Sequence, residues 1–278
     1  MKKIDTVALS RQAAEMRKAV LSMTNKAGAG HVGGSLSEIE ILAALYNGIM
    51  MIDPKNPEWP ERDRFILSKG HSTPGYYTAL AYRGYFPLNL LDTFDSCDSP
   101  LQAHPDMHKC PGVDYSTGSL GQGVSVALGM AVAAEKQHRD FTVFVLIGDG
   151  EAQEGQVWEA LMFASANRVK RIVFIFDANN VQLASSNTAG TDAPALLRKL
   201  EGFGITALDA DGNDLESLIP VLEEAVRISK DGPVAVVART VKGKGVSFME
   251  GAYQWHGRAP NNEELGIALA ELNGGGAK

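Results

Sequence analysis

The sequence predicts an α/β domain with a mostly parallel central sheet and helices on both faces, and three observations carry that expectation. Phe141–Ile147 and Arg171–Phe176 are apolar runs of strand length without polar alternation, the pattern of strands covered on both sides. Segments with helical spacing of apolar residues alternate with such runs along the chain. Each of the two runs also ends in small polar residues, Gly148-Asp149-Gly150 after the first and Asp177-Ala178-Asn179-Asn180 after the second. If the runs are neighbouring parallel strands, Asp149 and Asn179 meet at the carboxyl edge of the sheet, where open α/β folds bind ligands.

The elements follow in order. Residues 5–27 read as a helix, with Ala8, Ala13, Met16, Val20 and Met23 on one side, ending in the glycine-rich stretch Ala27–Gly34. Ser35 or Ser37 is placed to cap a second helix, with Ile39, Leu42, Ala43, Leu45 and Tyr46 on its buried side. A turn-rich connection, Asp53–Pro60, leads to a short strand, Arg64–Ser68, that delivers His71 to a strand end. Asp92–Gly118 has little regular pattern and exceeds the roughly 15 residues usual for an unstructured connection, so it is either mobile or held against a ligand. Leu120–Glu135 has small residues on several sides, as expected of a helix packed closely on a sheet. Further strands are expected at Gly204–Leu208 and Val234–Ala238, with a helix over Asp214–Ile228 between them. The only low-complexity run is the tail Gly274–Lys278.

Composition narrows the function. With 278 residues, 45% hydrophobic, and 33 acidic against 26 basic side chains, the chain is an ordinary acidic protein, which argues against a broad nucleic-acid face. Cys97 and Cys110 form neither a disulfide framework nor a tetrahedral metal set. The start, Met1–Thr6, has a basic pair but no apolar core of an export signal, and no run approaches the roughly 18 apolar residues of a membrane span. The cytoplasm is the expected location.

The chemistry starts from Asp149 and Asn179. Alone, Asp149 has a simpler use as a brace for the turn after its strand. Together with Asn179 and the backbone carbonyl of Val181, it offers hard oxygens for an octahedral magnesium ion that leaves positions for diphosphate oxygens and water. Glu154, near a helix start, is better used in capping or orientation. Gly118-Ser119-Leu120-Gly121-Gln122-Gly123 is not a dinucleotide fingerprint, and no phosphate loop ending in Gly-Lys-Ser/Thr occurs. The stretch serves either tight packing or, through N–H groups before a helix, an anion. His31, His71, His104 and His256 sit beside glycine or proline at loop or strand-end positions. Any one alone has a structural reading. As a set without zinc spacing, they read as neutral imidazoles that bind oxygens and move protons.

Several stretches, in family order over nearly the whole chain, resemble the amino-terminal, diphosphate-binding half of transketolase, and above all the separate subunit of split transketolases. They are Ala29–Ser37, Arg62–His71, Cys110–Gly123, Gly148–Gly155, Asp177–Asn180, Lys242–Gly245 and Trp255–Gly257. Val32 after His31, where proline is usual, and Ala103-His104-Pro105 before Asp106, where glutamate is frequent, depart from the full-length pattern.

The resemblance implies a thiamin diphosphate-binding fold over 1–278. Within it, 1–64 would be a helical region and connection, 92–118 an active-site loop and 246–278 a carboxyl-terminal extension. It implies that Asp149, Asn179 and Val181 hold magnesium, with calcium or manganese able to substitute. His71, Gly118, Ser119, Leu120, Gly148, Gly150, Glu151 and His256 would surround the cofactor, with Lys244 closing over it. His31, His71, His104 and His256 would serve catalysis. The activity implied is transfer of a two-carbon ketol unit from a ketose phosphate to an aldose phosphate. It would require a carboxyl-terminal partner subunit with the pyrimidine-binding domain, in an α2β2 heterotetramer. The alternatives are a specialised ketolase subunit for a modified sugar phosphate, a synthase of the 1-deoxyxylulose-5-phosphate type, and a non-enzymatic thiamin diphosphate-binding regulatory module.

Overall fold

The computed structural model describes residues 4–183, 185 and 190–274. Met1–Lys3 and the tail after Gly274 therefore lie outside the described residues. Among the described residues five parallel strands form one sheet: β1 (Arg64–Leu67), β2 (Val143–Gly148), β3 (Ile172–Ala178), β4 (Thr206–Asp211) and β5 (Val234–Arg239), in spatial order β1-β2-β3-β5-β4. Gly148 pairs in register with Asp177, so the two polar strand ends are neighbours, as the sequence predicts. The strand β4 begins and ends later than Gly204–Leu208, because at the sheet edge its residues are largely exposed and its apolar signal is weak.

Both faces of the central strands are buried, which explains their continuous apolar runs. Phe144, Leu146, Val173, Ile175, Val234 and Val236 point to one layer. That layer holds α1 (Thr6–Ala27), α2 (Val32–Ser37), α3 (Ile39–Ala44), α4 (Thr73–Arg83) and α8 (Leu215–Ser229). Val143, Val145, Ile147, Ile172, Phe174 and Phe176 point to the other, with α5 (Gln122–Lys136), α6 (Gly155–Ala166) and α7 (Ala193–Gly202). A last helix, α9 (Asn262–Gly274), packs on α1.

Helix α1 starts where expected: the Asp5 carboxylate accepts from the Ala8 N–H at 3.0 Å, and the left-handed Gly28 ends it. The next stretch differs from expectation. Val32–Ser37 is itself helical and fully buried, so Ser35 and Ser37 are not caps. Ser35 Oγ instead donates to the His31 carbonyl at 2.8 Å, and Ser37 Oγ donates to Asp177 at 2.6 Å. The glycines serve close packing here: a Cβ on Gly33 would lie 2.9 Å from the Trp255 carbonyl oxygen and 3.1 Å from Lys242 Cγ. The helices α2, α4, α7 and α9 add to those read from the sequence, while α6 begins directly after Glu154, where a helix start is expected, although the Glu154 side chain makes no capping hydrogen bond. Helix α4 is buried on nearly every side, so it lacks the polar face that marks a helical period. The segment 94–121 has no regular helix or strand, in keeping with the irregular connection expected there. Among the described residues no helix is long and apolar enough to cross a membrane.

Candidate functional site

At the carboxyl edge of the sheet a cavity of about 490 Å³ opens between the ends of β1, β2, β3 and β5 and the turn before α5. All the residues anticipated from the sequence line it except Ser119, which is exposed on that turn, and Lys244. The Lys244 side chain lies 3.5 Å from Glu250. Lys242, two residues earlier in the chain, enters the cavity in its place. Lys69, Gly34, Gln182 and Leu183 also line the wall and were not anticipated.

The metal candidates come together. Asp149 accepts from the backbone N–H groups of Gly150 at 2.8 Å and Asn180 at 2.5 Å, which fixes its carboxylate across the β2–β3 edge. Asn179 Oδ1 accepts from Val181 N–H at 3.1 Å, and its amide nitrogen donates to Asp177 at 3.1 Å. The Val181 carbonyl accepts from Lys242 Nζ at 3.2 Å. Among the described residues no group of three or more His, Cys, Asp or Glu side chains forms a metal centre. Asp149, Asn179 and Val181 are a different donor set, one carboxylate, one amide and one carbonyl, that suits a hard cation completed by diphosphate oxygens.

Behind this edge lies a buried ionic group. Lys69 Nζ pairs with Asp177 and, at 2.7 Å, with Glu38, and all three side chains are almost fully buried. Burial disfavours the Lys69 ammonium, but Asp177 and Glu38 outweigh that cost and raise its pKa above the usual lysine value. Burial likewise opposes the Asp177 carboxylate, yet Lys69 and the hydroxyls of Ser37 and Thr240 hold its pKa below the usual range. Asp177 in turn orients the Asn179 amide. The sequence marks Asp177 as a polar residue at a strand end, but its partners Lys69, Ser37 and Thr240 lie on other elements and leave no local sign.

Three histidine rings cluster in the cavity wall. The centroids of His31, His71 and His256 are 4.9, 5.5 and 5.0 Å apart, and His104 lies against Gly118, where a Cβ would come within 3.1 Å of its ring. Burial, then the Lys242 charge, pushes His256 down to about 3. Burial, then Lys69, takes His71 well below 6.5, and burial, then His104 and Lys242, lowers His31. These three imidazoles are therefore neutral at pH 7. Lys242, lowered to about 8 by burial and then by Lys69, lies 2.8 Å from His256 Nδ1. As an ammonium it donates to that nitrogen, which places the His256 ring proton on Nε2.

Glu151 has a bracing geometry. One carboxylate oxygen accepts from Ser68 Oγ at 2.5 Å and Gly121 N–H at 2.7 Å, the other from Gly148 N–H at 3.0 Å. It joins three cavity-forming segments and takes up one N–H of the turn before α5 that was expected to face an anion. Gly121 permits the turn with φ of 80°. Across it, a Cβ on Gly70 would lie 2.7 Å from Gly118 N, so two backbones meet directly.

The comparisons with known proteins agree with this architecture. The sequence profile of the transketolase thiamine diphosphate binding domain matches residues 9–273. The chain is 44% identical over 269 residues to the 6-deoxy-6-sulfo-D-fructose transketolase subunit SqwG of Clostridium sp. (strain MSTE9), covering 97% of this chain and 98% of that one. It is 42% identical over 256 residues to an apulose-4-phosphate transketolase subunit of Actinobacillus succinogenes, covering 92% of each. The crystal structure of transketolase from Campylobacter jejuni superposes with a TM-score of 0.87 at 30% identity, covering 97% of this chain and 43% of that one. The chain thus spans about two-fifths of a full-length transketolase, as it does for the human enzyme, where 40% of the relative is covered. With its parallel sheet, its carboxyl-edge cavity and a family match over nearly its whole length, the chain belongs to the transketolase thiamine diphosphate binding domain family.

Proposed function

We propose that residues 1–278 act as one diphosphate-binding domain and form the cofactor-binding subunit of a two-chain ketol transferase whose donor is a modified ketose carrying an anionic end group. The observation that carries this reading is end-to-end similarity to two modified-sugar transketolase subunits, at 44 and 42% identity. The full-length transketolases are matched at 34–35% over part of their length. That balance favours the specialised ketolase over an unmodified pentose phosphate enzyme. The reading includes an α2β2 assembly with a carboxyl-terminal partner.

The cavity's chemistry fits thiamin diphosphate. Asp149, Asn179 and the Val181 carbonyl would hold magnesium, or calcium or manganese, with the diphosphate. Lys242 supplies positive charge, and Leu120 and the exposed Leu183 give the mouth apolar surface. Gly118 and Gly150 admit close backbone approach. Bound there, the cofactor supplies the electron sink for breaking and forming the carbon–carbon bond beside a ketone. The depressed pKa values of His31, His71 and His256 make them weak bases but good neutral N–H donors, so their task is to orient hydroxyl and carbonyl oxygens. His104, exposed and lining the cavity, would pass a proton at a substrate oxygen.

The test is calorimetric titration of this chain with thiamin diphosphate, with and without magnesium, followed by assay with the partner present. Magnesium-dependent binding, no turnover by the chain alone, and a higher kcat/KM for a sulfonated or branched ketose than for an unmodified ketose phosphate are expected. Strong turnover by the isolated chain would reject the half-enzyme reading. Preference for the unmodified donor would return it to an ordinary transketolase. Binding without turnover alongside the partner would favour the regulatory module.

A further inference from the structure

Glu38 is a buried carboxylate near the cavity that pairs with Lys69 through one oxygen only, and the proposed chemistry leaves its other oxygen no evident use. It is fully buried on the link between α2 and α3, and its Oε1 has no hydrogen-bond partner among the described residues. The other oxygen, Oε2, accepts from Ser72 Oγ at 3.0 Å and lies 2.7 Å from Lys69 Nζ. A structural carboxylate at such a place would have both oxygens satisfied. The Oε1 atom instead faces α4 at Gly75, where a Cβ would come within 2.8 Å. Lys69 thus has two carboxylates and the Gly34 carbonyl around one ammonium, and both Lys69 and Gly34 form cavity wall.

We propose that Glu38 is a positioning residue that sets how much of the Lys69 charge the cavity presents to an anion. This rests on the reading of the cavity as a diphosphate site. With Glu38 ionised, Glu38 and Asp177 together overcompensate Lys69 and hold its Nζ back against Gly34. With Glu38 neutral, Asp177 alone balances the ammonium, and the wall carries one negative charge fewer. The charged groups acting on Glu38 are Lys69, beyond β1, and Asp177, on β3, while the α4 side offers the hydroxyl of Ser72. On α3 itself, Glu40 is engaged with Arg17 of α1. Burial first, offset by Lys69, pushes Glu38 up to about 7, so both states are accessible near neutral pH.

Glu38→Gln keeps the shape and removes the charge. Calorimetric dissociation constants for thiamin diphosphate in excess magnesium, measured from pH 6 to 8.5, should agree within about twofold at pH 6 for the two proteins. At pH 8.5 the variant should bind about five- to tenfold more tightly, the size expected for one screened charge near the site. A ratio that stays flat with pH, or a variant that binds more weakly at pH 8.5, overturns the proposal. Failure of the native chain to bind even with the partner subunit present would instead reject the cofactor reading. If the variant does not fold, as judged by its thermal transition, the Glu38 carboxyl can be titrated in the native chain by carbon-13 resonance. Its midpoint should rise when inorganic pyrophosphate is added, and an unmoved midpoint overturns the proposal.

Discussion

The Lys242 ammonium donates to the Val181 carbonyl at 3.2 Å and lies 2.8 Å from the His256 ring nitrogen, so one buried cation joins the candidate metal edge to the histidine wall. Burial lowers its pKa to about 8, a cost that a purely structural lysine at this position would not repay. Lys242→Met should therefore weaken thiamin diphosphate binding by at least tenfold, about 1.4 kcal/mol, while leaving the unfolding midpoint unchanged or slightly higher. Calorimetric titration beside thermal denaturation separates the two effects. Unchanged affinity would remove Lys242 from the site.

Asp177 should matter chiefly for stability. Asp177→Asn leaves Lys69 with Glu38 alone and misorients the Asn179 amide, and breaking such a buried pair costs about 3–5 kcal/mol. Its folded pKa is depressed, so its contribution is present above the unfolded carboxylate value of about 3.9 and is lost as pH falls through the lower folded value. Urea unfolding of the variant should show a large loss at pH 7 and a smaller difference from the native chain in acid.

The histidine wall makes the opposite kind of pH statement. His71 and His256 have folded pKa values below the unfolded value near 6.5, so the unfolded chain takes up protons first as pH falls. Stability from keeping them neutral is complete above about pH 6.5 and declines below it. Melting temperature should fall between pH 7 and 5, with a shallower slope in His71→Asn. An identical slope in that variant would show that the ring is not held neutral by the fold.

His31→Asn and His104→Asn should lower kcat by about 100-fold with less than a threefold change in cofactor affinity, assayed with the partner present. Equal loss of turnover and affinity would place these rings on the cofactor instead of the reacting sugar.

Glu151→Gln tests the brace. The amide can accept at one position only, leaving an N–H of Gly121 or Gly148, or the Ser68 hydroxyl, without its acceptor. The expected cost is about 1–3 kcal/mol in chemical unfolding, together with weaker cofactor binding because three wall segments loosen.

Much of the site was legible because its residues sit where strands end. Asp149 and Asn179 follow apolar runs too long and too uniform to be anything but central strands, and their junction follows from parallel pairing. Lys242 and Lys69 were not legible. Lys242 and Lys244 sit in the same repeated Lys-Gly pattern, and only the packing of Gly33 against the Lys242 stem, with Gly243 donating to the Gly33 carbonyl, decides which of them turns inward. Lys69 precedes a glycine and a histidine in a strand-end turn, where an exposed lysine is the ordinary expectation. For Glu38 and Asp177 the pairing with Lys69 was not legible, because local sequence carries no sign that a counter-charge waits on another element.

From the chain alone came the parallel α/β architecture, the strand-end oxygens, the four loop histidines and the family to which they belong. Those are properties of local pattern: apolar run length, glycine placement and residue type are fixed by covalent order. The three-dimensional packing alone decided which lysine enters the cavity, that Glu151 spans three segments, and that Glu38, Lys69 and Asp177 share one buried charge group. Electrostatic free energy depends on distance and burial between residues remote in the chain, and neither quantity exists until the helices close over the sheet.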